Sequence, residues 1–386
     1  MKQKTYSKDI ILILIASFFY FCSPMLITPL ITGFSGSIGA SATMMGMIGG
    51  FMNLCSLVCR PFVGNLADKI SKYKVSFLGA GLMCLSCLGY MVATNPMIVF
   101  VARMINGVGF ACCSVCMATW MSNMLPNEKI GSGMGIYGMM NALGMAVAPA
   151  IGISIYQVFG YRLSFGIALL TSLMTMIIIQ FIGNKGEPEP QTQKVKTKLQ
   201  IAEWKAVPVA IIIMLFSIPY CATQSFLVNY VQARNLSVSV SLFFPLYAVV
   251  LLVLRLCLKS LFDRLPFQYF LFGSSISAFA GILCLTFLKN NIILFFAALF
   301  MAGGYGMMCS ICQSTAILLA GKEKRGLANS TYYIGLDLGM ALGPAIGGFL
   351  FGNLNLSLFY PALLLTVPLA IIVYFVVKIK NRASFQ

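Results

Sequence analysis

The sequence contains no histidine, and only nine of its 386 residues are aspartate or glutamate. Histidine is the side chain that enzymes most often use as a general base and as a metal ligand, and no clustered pair of carboxylates or nucleotide motif takes its place here. We therefore expect neither a cofactor nor a metal, and the chain does not read as an enzyme. Charged residues make up 9% of the sequence, against about 25% in soluble domains. This scarcity excludes an ordinary soluble globular protein.

Hydrophobic residues make up 59% of the chain, and its mean hydropathy is +0.91. The windows 10–59, 130–161 and 338–377 carry no Asp, Glu, Lys or Arg. Each can hold one or two of the runs of ~20 apolar residues that cross a bilayer as a helix. The sequence predicts an all-α membrane protein with twelve transmembrane helices, over 10–31, 44–65, 75–94, 97–121, 131–157, 163–183, 206–230, 239–261, 268–288, 291–320, 327–352 and 357–377.

The formal net charge of +17 is distributed over the loops between these segments. The Lys and Arg residues lie between apolar segments and do not cover one polar face. Nucleic acid is therefore not an expected partner. With both termini and every second loop in the cytoplasm, the side facing out receives only Arg162, Arg234 and Lys289 of the 26 Lys and Arg residues. The positive-inside rule therefore predicts a multi-pass protein of the cytoplasmic membrane with both termini cytoplasmic.

The chain also repeats itself. Residues 143–152 (LGMAVAPAIG) and 338–347 (LGMALGPAIG) agree at eight of ten positions and lie 195 residues apart, which is close to half the chain. The same offset places Arg255 on Arg60 and Asp263 on Asp68. Six spans per half make the repeat parallel, as in many secondary transporters. We predict two six-helix bundles, 1–183 and 206–386, joined by a polar cytoplasmic linker, 184–205, with a solute cleft between the halves.

The loop after the second predicted span reads RPFVGNLADKISKYK over residues 60–74. It resembles the loop signature of the major facilitator superfamily, Gly-x-Leu-x-Asp-[Arg/Lys]-x-Gly-x-[Arg/Lys]-[Arg/Lys], and departs from it at Ser71 and Tyr73. The resemblance implies that the aspartate contacts the start of span eleven and that the bases help to latch the halves. The alternative is that the bases only set topology. The expected gating residues are Arg60, Gly64, Asp68, Lys69 and Lys72 and, as a weaker copy in the second half with Lys259 in place of Gly64, Arg255, Asp263 and Arg264.

Span four contains Arg103-Met-Ile-Asn106-Gly107-Val-Gly109. This resembles a second signature of the superfamily, Arg-x-x-Gln-Gly-x-Gly, with Asn in place of Gln. An arginine inside a membrane faces a cavity or a partner, because exposure to lipid costs about 2.5–3.5 kcal/mol on insertion scales. The resemblance implies that Arg103 takes part in proton coupling. A structural arginine bonded to carbonyls of a neighbouring helix remains the alternative.

Spans five and eleven carry small residues every fourth position together with a proline. The pattern resembles the signature of antiporters and exporters. Small residues allow close helix approach, and proline removes one backbone donor and permits a bend. Close packing alone is the alternative explanation. The residues expected to bend the helices are Gly144, Pro149, Gly152, Gly339, Gly343, Pro344 and Gly347.

Asp337 is the one carboxylate that the predicted spans place deep in the membrane. At ~100° per residue it points away from Gly335 and Gly339, so it faces the central cleft if the glycines pack on a neighbouring helix. We expect it to carry the coupling proton or to contact substrate, and the alternative is a carboxylate paired within its own half. Other candidates for the cleft, each of which could instead bond helix to helix, are Arg103, Tyr137, Asn141, Gln224, Asn229, Gln313 and Tyr332 or Tyr333.

Together these features predict a major facilitator fold, similar to the drug:proton antiporter branch, that exports a small organic solute by alternating access. An importer or uniporter for a metabolite remains the alternative, because folds and motifs are shared between transport directions. A receptor or scaffold needs neither the repeat nor the Gly-Pro helices. The first span has no acidic residue, which favours a neutral or anionic amphipathic substrate over a cation. The expected partners are that substrate, protons and membrane lipid, and we expect a monomer.

Overall fold

The computed structural model describes residues 7–188, 200–258, 261–353 and 355–380. The regular structure in these residues is helical, which confirms the predicted all-α class. The α-helices are α1 (Lys8–Ile27), α2 (Ile31–Ser37), α3 (Ala42–Lys69), α4 (Lys72–Val92), α5 (Pro96–Asn123), α6 (Ile130–Phe159), α7 (Tyr161–Gln180), α8 (Val207–Ala233), α9 (Phe243–Cys257), α10 (Phe267–Thr286), α11 (Asn291–Met301), α12 (Met307–Ala320), α13 (Arg325–Asn353), α14 (Phe359–Leu364) and α15 (Thr366–Lys380).

Eleven helical stretches in the described residues are long and apolar enough to cross a membrane. The remaining predicted span, the eighth (239–261), corresponds to α9, which is a shorter apolar helix of 15 residues. Predicted span ten, 291–320, is continuous but not uniform, because the five residues Ala302–Gly306 between α11 and α12 form a π-helix. The protein is thus a multi-pass membrane protein with the predicted architecture of about twelve helices.

The starts of several helices are set by side-chain caps. Asn95 Oδ1 accepts a hydrogen bond from Ile98 N at 3.1 Å, and Asn290 Oδ1 accepts one from Ile293 N at 3.0 Å. Each cap satisfies one of the N–H groups that the first helical turn leaves without a partner. Asn95 and Asn290 lie 195 residues apart, so the repeat extends to the cap that begins span four and span ten.

By the contacts between residues, the chain divides into two compact units. The first takes in 1–126, 136–201 and 322–330, and the second takes in 127–135, 202–321 and 331–386. The first turns of α13 therefore belong to the first unit, and the first turns of α6 belong to the second. The domain limits expected from the sequence remain a prediction.

Each unit has its own helix packing. In the first unit, α5 packs against α3 and α4, and α7 packs against α1 and α4. The apolar core there includes Ile27, Ile31 and Phe165, which are fully buried. In the second unit, α8 packs against α12 and α15, while α11 packs against α9 and α10.

Candidate functional site

The carboxylate of Asp68, near the end of α3, caps the start of α13 within the first unit. Its Oδ1 accepts a hydrogen bond from Gly326 N at 2.7 Å, and its Oδ2 accepts one from Leu327 N at 2.9 Å. Both donors lie in the first turn of α13, where the helix itself provides no acceptor. A negative charge is also favourable at this end of the helix dipole. The carboxylate thus joins two segments that are more than 250 residues apart in sequence.

Polar residues along the first turns of α13 extend this junction. Ser330 Oγ donates to the carbonyl oxygen of Arg60 at 2.5 Å, and Asn329 Nδ2 donates to Thr119 Oγ1 at 3.2 Å. Arg325 Nη1 donates to the carbonyl oxygen of Ser122. The sequence signals were the motif residues of α3 alone; nothing in the spacing of Arg325, Asn329 and Ser330 identified their partners on α5 and α3. Gly64 permits the approach, because a Cβ there would lie 3.2 Å from the carbonyl oxygen of Gly326.

The second unit carries the equivalent junction at the start of α6. Asp263 Oδ1 accepts a hydrogen bond from Ser132 N at 2.8 Å, and Lys129 Nζ lies 3.7 Å from Asp263 Oδ2. Ser132 stands 195 residues before Leu327, so the two capped helix starts correspond in the repeat. Of the other residues expected in this copy, Arg264 is exposed and Lys259 lies outside the described residues.

The bases after Asp68 differ in their surroundings. Lys69 is exposed, whereas Lys72 is buried and its Nζ lies 3.5 Å from the carbonyl oxygen of Glu187. Arg60 is also buried, and its Nη1 donates to Ser114 Oγ at 3.0 Å. The gating role of these residues remains a prediction.

Arg103 is only 1% exposed and is bonded to α3 in the first unit. Its Nε donates to the carbonyl oxygen of Ile48 at 3.2 Å. Its Nη2 lies 3.5 Å from the carbonyl oxygen of Gly49, and its Nη1 lies 3.3 Å from Met52 Sδ. These contacts match the structural alternative stated for Arg103. A part in proton coupling remains a prediction.

The glycines of α13 face α8 inside the second unit. A Cβ at Gly339 would lie 2.5 Å from Ser217 Cβ, and one at Gly343 would lie 2.7 Å from Cys221 Cβ. A Cβ at Gly347 would meet the ring of Phe226 at 2.9 Å. The same Cβ atoms at Gly339 and Gly343 would lie 2.7 and 2.8 Å from the carbonyl oxygens of Met214 and Ile218, so the two backbones approach closely, as small residues at fourfold spacing allow.

The repeated stripe on α6 is less tightly packed at its start. A Cβ at Gly144 would lie 3.3 Å from the ring of Phe21, whereas one at Gly152 would lie 2.6 Å from the carbonyl oxygen of Leu26. Pro149 and Pro344 both lie inside continuous helices. Whether these positions bend during transport remains a prediction.

Asp337 lies in α13 with 6% of its surface exposed. It is two residues from Gly335 and from Gly339, so the helix turns it away from the face that packs on α8. In the same unit, two of the other predicted residues meet, since Gln313 Nε2 donates to Tyr333 Oη at 3.2 Å. Gln224 is exposed, and the side chain of Asn229 lies outside the described residues.

The predicted residues on α6 lie in the first unit. Tyr137 is fully buried, and its hydroxyl is 3.0 Å from that of Tyr20 on α1. Asn141, one turn further on, is half-buried, and its Oδ1 has no hydrogen-bond partner among the described residues. Tyr20 was not identified from the sequence, because a single tyrosine in an apolar span carries no periodic signal.

Arg255, expected as a gating residue, lies inside a helix, within the predicted span 239–261. It lies in the last turns of α9, 4% exposed, and its Nη2 donates to the carbonyl oxygen of Gly306 at 2.9 Å. Gly306 is the last residue of the π-helix. Nη1 and Nε of Arg255 have no hydrogen-bond partner in the described part of the chain.

The described residues contain no group of three or more His, Cys, Asp or Glu side chains that could hold a metal ion. The cysteines there, including Cys112, Cys113 and Cys116 on α5, are all free thiols. The site consists instead of capped helix starts, close backbone contacts and buried charged side chains within spanning helices. This combination defines an integral-membrane protein of two repeated helical halves.

A family model described as Major Facilitator Superfamily matches residues 13–326 and 268–385. The chain belongs to the Major Facilitator Superfamily. It is a transporter by family and not an enzyme. The resemblance that was inferred from the loop signature at 60–74 and from the signature in span four is therefore confirmed.

Two relatives and one solved structure illustrate the similarity. The chain is 21% identical to the quinolone resistance protein NorA of Staphylococcus aureus, over 98% of this chain and 99% of NorA. It is also 21% identical to the staphylopine export protein of Staphylococcus aureus, over 81% of each chain. The crystal structure of the human organic anion transporter MFSD10 matches with a TM-score of 0.77 and 13% identity, over 95% of this chain and 100% of that one. The last similarity concerns the fold alone.

Proposed function

We propose that the protein is a proton-coupled exporter that moves a small organic solute out across the cytoplasmic membrane. The observation that carries the direction of transport is the similarity, along most of their length, to the staphylopine export protein and to the quinolone resistance protein NorA. Folds and motifs are shared between import and export within one superfamily, so the direction needs its own experiment.

Proton coupling is assigned to Asp337. It is a buried carboxylate in a helix whose opposite face is fixed against α8 by Gly339 and Gly343. A carboxylate inside a membrane-spanning helix is costly and is typically found on proton or substrate pathways. Protonation and release at this one position would link solute movement to the proton gradient.

We propose alternating access as the mechanism, with the caps at Asp68 and Asp263 acting as latches. Asp68, at the end of α3, and Asp263, in the turn after α9, each bind the start of another helix by charge-assisted hydrogen bonds. Such bonds contribute about 1.5–3 kcal/mol each. A few of them can hold a conformation without locking it, because two-state equilibria of transporters differ by only a few kcal/mol.

The expected solute is neutral or anionic and amphipathic. The predicted first span, 10–31, carries no acidic residue to attract a cation, because the one carboxylate of α1, Asp9, lies in its first turn and accepts from Gly183 N and Asn184 N. The buried charges described in the spanning helices include Arg60, Arg103 and Arg255. We expect a monomer to suffice, with protons, the solute and membrane lipid as partners.

Cells that express the protein and cells with an empty vector test the direction and the coupling together. Both are incubated with a panel of amphipathic neutral and anionic compounds, and the cell-associated amounts are measured by mass spectrometry. The proposal expects lower accumulation of at least one compound in the expressing cells, and expects a protonophore to abolish the difference. Higher accumulation would indicate an importer, and a difference that survives the protonophore would show that export is not driven by the proton gradient.

A further inference from the structure

The buried guanidinium of Arg255 has hydrogen-bonding capacity that the described protein does not use. An arginine has five N–H donors, and the one bond recorded here runs from Nη2 to the carbonyl oxygen of Gly306. Among the described residues, Nε and Nη1 have no hydrogen-bond partner, and no carboxylate lies within ion-pair distance of Arg255. A buried charge with unused donors is costly unless something else pairs with it.

Comparison of the two halves explains why the arginine of the second half has N–H donors without a partner among the described residues. Arg60 is the equivalent of Arg255 in the first half, and Ser114 Oγ accepts from its Nη1 at 3.0 Å. The residue equivalent to Ser114 in the second half is Cys309. A thiol is a much weaker acceptor than a hydroxyl, so the exchange of Ser for Cys releases donors of the second arginine.

Tyrosines lie close to the Arg255 guanidinium. Tyr305 directly precedes Gly306, whose carbonyl oxygen accepts from Arg255, and a Cβ at Gly306 would lie 2.8 Å from Tyr247 Oη. Tyr332 and the Cys309 thiol also interact electrostatically with the guanidinium. Tyr305 stacks on Tyr220 with ring centroids 4.4 Å apart. Tyr220 also contacts Tyr247, with ring centroids 4.9 Å apart. We call Arg255, Tyr220, Tyr247, Tyr305 and Tyr332 the arginine–tyrosine cluster.

The cluster does not occur in the first half. Three of its tyrosines, Tyr220, Tyr247 and Tyr305, stand where the first half has Met25, Met52 and Phe110. The local backbone differs as well. Tyr305 belongs to the π-helix Ala302–Gly306, whereas the equivalent residues 107–111 lie inside the regular α-helix α5. Single-turn π segments inside α-helices are frequent at functional sites.

All five members of the cluster are buried; Tyr305 and Tyr247 are the most exposed of them, at 8% and 7%. An aromatic wall beside a guanidinium suits a ligand that has a flat ring and an anionic group. The rings can stack on the ligand, and the planar N–H fork can bind a carboxylate.

We propose that the arginine–tyrosine cluster is a binding site for the carboxylate of an aromatic organic acid, with Nε and Nη1 of Arg255 as its donors. This assignment rests on the proposed function, since it names the substrate class and the place where the substrate binds. The two can fail separately, because the test below measures binding without a gradient and the export assay above does not depend on Arg255.

The test uses naphthylacetate and its uncharged counterpart naphthylacetamide as probes, with the full chain purified in lipid nanodiscs and titrated by calorimetry. The wild type is expected to bind the acid at least about tenfold more tightly than the amide. Arg255→Gln is expected to remove this preference by weakening acid binding alone. The tenfold figure corresponds to one charge-assisted hydrogen bond.

Arg234→Gln is the matched control, because it removes the same charge from the same unit. Arg234 lies at the end of α8, where its Nη1 donates to Tyr230 Oη at 2.7 Å, away from the cluster. The control is expected to keep the tenfold preference for the acid. Loss of the preference in Arg234→Gln as well would mean that net charge and not the site is responsible, which would overturn the proposal.

Arg255→Lys covers the case in which Arg255→Gln does not fold. The lysine keeps the charge but not the fork, so acid binding is expected to weaken several-fold while amide binding is unchanged. The proposal is overturned if the wild type binds neither probe or binds both alike. It is also overturned if Arg255→Gln, or in its place Arg255→Lys, leaves the affinity for the acid unchanged or weakens both probes together.

Discussion

Asp68 accepts a hydrogen bond from the backbone N–H of Gly326 at 2.7 Å, across 258 positions of the sequence. The contact anchors the first turn of α13 to the end of α3 within one compact unit. Its counterpart in the second unit is the bond from Ser132 N to Asp263 at 2.8 Å. A duplicated capping contact therefore holds the starts of the two helices that carry the Gly-Pro repeat.

Asp68→Asn is expected to lower the free energy of unfolding by about 1–3 kcal/mol, because the amide keeps one acceptor oxygen and loses the charge. If the cap is also a latch, the transport rate should fall further than the loss of stability explains. Thermal unfolding in detergent measures the first effect, and uptake into proteoliposomes measures the second.

Asp9→Asn is the control for that experiment. Asp9 caps two backbone N–H groups in the same way, Gly183 N at 3.1 Å and Asn184 N at 2.8 Å, but does so at an exposed site and away from α13. It should change stability less and leave the transport rate near that of the wild type. Equal transport defects in the two variants would contradict a latch at Asp68.

Gly339→Ala is expected to destabilise the second unit. The new Cβ would lie 2.5 Å from Ser217 Cβ and 2.7 Å from the carbonyl oxygen of Met214. Overpacking of this kind costs about 1–3 kcal/mol, since α8 and α13 would have to separate. Chemical or thermal unfolding of the purified protein measures the change.

Gly273→Ala, in α10, gives the matched comparison. Nothing lies within 4 Å of a Cβ at that position, and the residue is exposed within a helix. The substitution should raise stability by about 0.4–1 kcal/mol, because alanine has less backbone freedom to lose on folding. A Gly339→Ala protein as stable as Gly273→Ala would show that α8 and α13 are not in backbone contact.

Arg103→Lys is expected to lower stability by about 1–3 kcal/mol, because an ammonium group cannot reach Ile48 O, Gly49 O and Met52 Sδ together. If Arg103 is structural, proton-driven and gradient-free transport should fall in parallel. Selective loss of the proton-driven component, with stability unchanged, would instead assign it to coupling. Arg162→Lys, at an exposed arginine, is the control.

Much of the architecture could be predicted from the sequence, because bilayer spans and a duplication leave direct signals in it. The 195-residue offset correctly paired Asp68 with Asp263, and both cap a helix start. It also pairs Asn95 with Asn290, which cap equivalent helices. These features are local in the sequence or repeated in it, so they could be predicted from the sequence alone.

The environment of Arg255 could not be predicted in the same way. The predicted span 239–261 contained Arg255, but nothing in the sequence placed its side chain beside the π-helix, where its Nη2 donates to the carbonyl oxygen of Gly306. The tyrosines around it come from α8, α9, α13 and the π-helix, so no periodic pattern connects them. The exchange of Ser114 for Cys309 between the halves was visible in the sequence, but its meaning depends on knowing what each contacts.

The central claim is that Asp337 couples proton movement to export, and proton flux in proteoliposomes tests it most directly. Vesicles holding wild type or Asp337→Asn enclose a pH-sensitive dye and receive a solute identified in the export assay. The account predicts that solute drives proton movement with the wild type, and that Asp337→Asn abolishes this flux while keeping the wild-type unfolding temperature. Undiminished solute-driven proton flux with Asp337→Asn would contradict it.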